Sequence, residues 1–182
     1  MRVLTLTTLL LILCTPLFGQ SDSFLSRLEK AKQGEVDAQN DVGSMYSEGR
    51  GVKPDQKQAV YWFGKATEQG YSYGVCNLAL HYGRGWGVRK NRTLMMKWAF
   101  TGAALDGLVC HPGDFEEMFK PTECEMEKGW DLAVAWLRAH PDFKNDFGER
   151  PWMESNGEYP ITVRERGSPT ELPPSRSKRK CK

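Results

Sequence analysis

Near its start the chain reads Ala38-Gln39-Asn40-Asp41-Val42-Gly43-Ser44-Met45-Tyr46-Ser47-Glu48-Gly49-Arg50-Gly51-Val52-Lys53-Pro54-Asp55, and the plan of that stretch returns once. Gln33-Gly34, Tyr46, Gly49 and Trp62 recur as Gln69-Gly70, Tyr82, Gly85 and Trp98, each displaced by 36 residues. A period of this length that carries two helical patterns is the mark of an α-solenoid. Solenoids present extended surfaces to other molecules, which favours binding over catalysis.

Within the first unit, Ala38, Val42, Met45 and Tyr46 fall at i, i+4, i+7 and i+8, one face of a helix running from about Val36 to Ser47. Gly49 and Gly51 let the chain turn back sharply. Asp55 is a good N-cap for a second helix over about Gln56 to Glu68, with Ala59, Trp62, Phe63 and Ala66 on one side. In the second unit Gly74, Leu78, His81 and Tyr82 take the corresponding places. Gly85-Trp86-Gly87-Val88 repeats the turn, Asn91 replaces Asp55, and a helix is predicted from about Arg92 to Ala104.

Ala38-Gln39, Val42-Gly43, Met45-Tyr46, Gly49, Gly51-Val52, Asp55, Lys57, Ala59, Trp62, Lys65-Ala66 and Gln69-Gly70 together closely resemble the Sel-1-like repeat, a relative of the tetratricopeptide repeats. The second unit keeps the glycines, Tyr82 and Trp98 but has Thr101-Gly102 in place of the Lys-Ala pair. The resemblance implies an all-α fold, a short α-solenoid of antiparallel helix pairs. It also implies an adaptor or scaffold role, with a protein partner in the concave groove and no catalysis or cofactor.

Both ends differ from this body. Met1-Arg2, the apolar run Val3 to Leu13, Pro16 and Gly19 read as a secretory leader, too short to remain as an anchor across a ~30 Å bilayer. Cleavage is expected near Gly19, giving a secreted or periplasmic protein with no transmembrane anchor. From Ile161 to Lys182 there is no apolar periodicity, and Arg164, Arg166, Arg176, Lys178, Arg179, Lys180 and Lys182 face only Glu165 and Glu171. That composition predicts a basic disordered tail able to touch an anionic envelope. Setting aside the tail (+5) and Arg2 (+1), the formal charge of +2 leaves the body near −4, which argues against nucleic acid as a partner.

The expected organisation is a leader over 1–19, an N-terminal capping helix over 20–34, two repeats over 35–107 and a divergent third helix pair over 108–142. An aromatic extension over 143–160 and the tail over 161–182 follow. Thr122-x-x-Glu125 predicts a capping box, and Met126, Trp130, Ala133, Val134 and Leu137 a helix after it.

Export places Cys76, Cys110, Cys124 and Cys181 in an oxidising compartment. Four cysteines allow three pairings; Cys110 with Cys124, which bracket one short segment, is the favoured one. His81, His111 and His140 have no metal-ligand spacing, so no metal site is expected. Ser47 or Ser72 with His81 lacks a nucleophile-elbow sequence, and each histidine reads as structural. A hydrolase acting on β-lactam or cell-wall substrates is the alternative function, by likeness to cysteine-rich exported relatives. Those carry a cysteine pair in each repeat, and Thr67 stands here where one would be expected near Cys76.

One feature does not repeat. Trp86 stands where the first unit has Arg50, flanked by Arg84, Arg89, Lys90 and Arg92. Tryptophan and arginine are enriched in binding hot spots, so these five residues form the candidate partner contact.

Overall fold

The computed structural model describes residues 18–106 and 109–143. Seven α-helices and no strand occur among them: α1 (Phe18–Lys32), α2 (Val36–Glu48), α3 (Gln56–Glu68), α4 (Ser72–Arg84), α5 (Arg92–Leu105), α6 (Pro112–Phe119) and α7 (Glu123–Ala139). Residues 1–17 of the expected leader, the aromatic extension beyond Phe143, the basic tail and Cys181 lie outside the described residues. No helix among the described residues is long and apolar enough to cross a membrane.

Successive helices pack against one another from α1 to α5, so α2/α3 and α4/α5 form stacked antiparallel pairs. The two pairs are congruent in backbone detail. Gly49 and Gly85 end α2 and α4 at φ 75° and 79°, in the left-handed region that suits glycine. Asp55 N–H donates to the Tyr46 carbonyl at 2.9 Å, and Asn91 N–H donates to the Tyr82 carbonyl at 2.9 Å. The Asp55 carboxylate accepts from the Lys57 and Gln58 amides, and Asn91 Oδ1 accepts from the Leu94 amide. Tyr46 and Tyr82 therefore hold equivalent places in successive layers, which is the solenoid geometry the 36-residue period predicts.

The core runs along the stack. Phe24 and Ala31 of α1 meet Ala38, Val42 and Met45 of α2 and Trp62 of α3. Ala59 and Phe63 of α3 meet Leu78 of α4, with Tyr46, Tyr82 and Trp98 packed around them. Gly43 carries no side chain because a Cβ there would lie 2.7 Å from the Phe63 ring. Each buried apolar side chain of this size contributes ~1.5–3 kcal/mol.

Beyond α5 the pattern changes. α6 and α7 form where a third helix pair is expected, yet the main packing partner of each is α5. α7 lies closest: a Cβ on Gly129 would meet Met96 Cβ at 2.6 Å, so the missing side chain allows the approach. Thr122 and Glu125 make the capping box, with the Glu125 amide donating to Thr122 Oγ1 at 3.2 Å and the Thr122 amide to Glu125 Oε2 at 2.7 Å. Phe143 folds back onto Trp136 and His140 and lies against Gly70, closing the inter-repeat junction.

The cysteine expectation is corrected. Cys110 bonds Cys76 of α4, with 5.5 Å between their Cα atoms, and not Cys124. Helix α6, eight residues and ~12 Å long at 1.5 Å per residue, stands between Cys110 and Cys124. Cys110 instead lies against Gly102 of α5 and reaches Cys76 of α4. Gly102 makes room for it, since a Cβ there would lie 2.8 Å from Cys110 Sγ.

Candidate partner-binding cleft

The second turn, residues 84–92, is fixed at both ends by the caps just described and in its middle by Gly87. At Gly87 φ is +69°, and a Cβ would fall 2.1 Å from the Gln56 carbonyl oxygen. The turn of the second unit thus lies directly on the first residue of α3 in the first unit. Gln56 is held in turn: its Nε2 donates to the Ser47 carbonyl at 2.8 Å, and its Oε1 accepts from Ser47 Oγ at 3.3 Å.

His81 lies beneath the turn and is 2% exposed. Its Nδ1–H donates to the Asn77 carbonyl at 2.8 Å, its Nε2 is 3.1 Å from Gln56 Oε1, and its ring contacts Phe63 and Trp86. Burial holds its pKa below the usual 6.5, partly offset by the Asn77 carbonyl. Gln56 thus lies between Ser47 and His81. The other histidines are engaged as well. His111 Nδ1 accepts from the Gly113 amide at the start of α6, and His140 stacks on both Trp136 and Phe143 with Nδ1 2.8 Å from the Trp136 carbonyl. Among the described residues no group of three or more His, Cys, Asp or Glu side chains could hold a metal ion.

The five candidate contact residues divide into two sets. Arg84 ends α4 with its guanidinium 5.7 Å from the Trp86 ring centre and 5.5 Å from that of Phe119, and its Nη2 is 3.5 Å from Met118 Sδ. Trp86 remains 43% exposed, and Met118 is exposed beside the same guanidinium. Arg89, Lys90 and Arg92 converge elsewhere, on a solvent-open cleft of about 830 Å³ that is also lined by Tyr82, Val88, Asn91, Leu94 and Glu125. Arg84 and Trp86 do not line it.

The charges in this cleft are unbalanced. Arg89 and Lys90 are exposed, and none of the three cations forms an ion pair among the described residues. The Nε of Arg92 is shut off from water and has no hydrogen-bond partner there. Glu125 is the single carboxylate in the lining, and its Oε2 already accepts from the amide and the hydroxyl of Thr122. Sequence reasoning identified Glu125 as a capping residue but not as a cleft wall. The docking of α7 onto α5 brings it there, and no local pattern announces that docking.

The family model of the Sel1 repeat matches residues 36–71 and 72–106. The chain contains two Sel1 repeats. Among solved structures, the crystal structure of c5321, a protective antigen present in uropathogenic Escherichia coli strains displaying an SLR fold, is 26% identical with a TM-score of 0.60. That match covers 65% of this chain and 26% of the antigen's, so this chain spans about a quarter of that protein. A Sel1 repeat protein from Oxalobacter formigenes is 20% identical with a TM-score of 0.45, covering 70% of this chain and 66% of its own. Comparison with curated proteins yields no match. The two matched Sel1 repeats meet between Tyr71 and Ser72, at the N-terminus of α4, and the cleft belongs to the second of them together with α7.

Proposed function

We propose that this chain is an exported, non-catalytic interaction scaffold that binds a protein partner. The partner would lie along the concave groove of the Sel1 stack and engage the turn at Arg84, Trp86, Arg89, Lys90 and Arg92. One observation carries the reading: two turns of the same backbone geometry expose different chemistry at their surfaces. In the first, Arg50 is ion-paired with Glu48. In the second, those places hold Trp86 and Arg84, and an exposed indole is left beside unpaired cations. A large aromatic surface left in water costs free energy in the isolated protein, and such residues become hot spots when a partner covers them. Export is supported by the leader-like start and by the Cys76–Cys110 disulfide, which suits an oxidising compartment. The basic tail adds a contact with anionic envelope.

The test is site-specific photocrosslinking in envelope extracts. A benzophenone side chain at position 86 should give a discrete adduct, and one at the equivalent position 50 should not. Trp86→Ala should weaken capture of that adduct's partner about 30-fold, equal to ~2 kcal/mol for a hot-spot residue, and Arg84→Glu with Arg89→Glu should weaken it further. Capture unchanged by all three substitutions would refute the surface.

A further inference from the structure

We infer that the cleft between the second turn and the foot of α7 takes an acidic linear segment of the partner. Its carboxylates would bond Arg89, Lys90 and Arg92, and an apolar side chain would sit against Val88 and Leu94. The inference rests on the reading that this turn faces a protein, and it supplies the chemistry of the contact.

Three cations and one committed carboxylate line a space of about 830 Å³, within the ~300–1,000 Å³ of built ligand sites and far more than one carboxylate needs. Arg92 starts α5 with a desolvated Nε–H that has no acceptor among the described residues. Arg92 is only half-buried and lines the cleft, so a carboxylate entering it can reach the solvent-facing side of the guanidinium and make a charge-assisted bond there. The α5 N-terminus adds amide dipoles of the same sign. Val88 and Leu94 give the walls an apolar part, so an alternation of acidic and apolar residues fits better than a bare polyanion. Nucleic acid and anionic lipid fit less well for a second reason. Outside leader and tail the body is near −4, so an extended polyanion that reached these cations would be repelled elsewhere.

The test is fluorescence anisotropy on the full chain with a labelled peptide alternating Asp or Glu with Leu, against its twin in which every carboxylate is an amide. The acidic peptide should bind at least tenfold more tightly than the twin and weaken as salt rises. Arg89→Gln with Lys90→Gln, both exposed, should remove that preference while Arg50→Gln leaves it intact. Equal binding of the twins overturns the inference. So does stronger binding of a single-stranded oligonucleotide or of phosphatidylglycerol vesicles that is lost with the same double substitution. A position-86 crosslink that persists while the twins bind alike sinks the cleft and spares the interaction surface. No crosslink and no discrimination sinks both.

Discussion

Residues 48–56 and 84–92 trace the same path through the same hydrogen bonds and the same left-handed glycines, yet one presents a charge-balanced surface and the other a basic one. The first carries Glu48, Arg50, Lys53 and Asp55, two charges of each sign; the second carries Arg84, Arg89, Lys90 and Arg92 and no carboxylate. In a solenoid each unit must keep the residues that bury its inner face and shape its turn, because neighbouring layers depend on them. Positions outside that contract are free to diverge. The comparison therefore separates structural positions, where the units agree (Gly49 and Gly85, Tyr46 and Tyr82), from positions available for function, where they do not.

The largest expected effect concerns a difference inside the fold. Cys76 stands where the first repeat has Asn40, so only the second repeat is stapled. Closing a loop across a sequence separation of 34 lowers the entropy of the unfolded chain, worth about 4 kcal/mol in the chain-entropy model. Cys76→Ala with Cys110→Ala should reduce unfolding free energy by about that amount in urea titration. Peptide mapping under non-reducing conditions should join the peptides containing Cys76 and Cys110. A Cys110–Cys124 peptide in their place would restore the pairing favoured from sequence.

Next comes the contact between the turns' two layers. Gly34 and Gly87 both have positive φ, but a Cβ at Gly34 would meet nothing within 4 Å and one at Gly87 would strike the Gln56 carbonyl. Gly34→Ala should cost only the left-handed strain, ~1–2 kcal/mol. Gly87→Ala should cost at least ~3 kcal/mol, because backbone must also move. Equal costs for the two would mean that the second turn does not rest on α3.

What could be read in advance follows from the same division. The 36-residue period, the caps Asp55, Asn91 and Thr122 and the glycine turns are local or periodic signals, and the helices over 56–68 and 92–105 begin and end within a residue of where those signals put them. The basic residues around Trp86 were visible as a break in the period. Their partition was not. Whether Arg89, Lys90 and Arg92 share a cleft depends on where α7 docks, and that is decided by Gly129 against Met96, two residues with no common sequence pattern. The same holds for Gly102. In sequence it looks like decay of the Lys-Ala pair, whereas in the fold it is the space that admits Cys110.

The smallest effect probes the buried side of the turn. His81 holds the place of Met45, and burial depresses its pKa below 6.5, so the folded protein keeps the ring neutral where the unfolded chain protonates it. A base depressed by folding contributes stability that is fully present above the unfolded pKa and is lost as pH falls below it, because the unfolded state then binds the extra proton. Unfolding free energy should therefore decline as pH falls through and below 6.5, before most carboxylates titrate. His81→Met, which copies the first repeat, should flatten that decline whatever it does to absolute stability through the lost Asn77 hydrogen bond. An unchanged pH slope would mean that His81 titrates alike in both states, and the ring beneath Trp86 would then be far wetter than its 2% exposure implies.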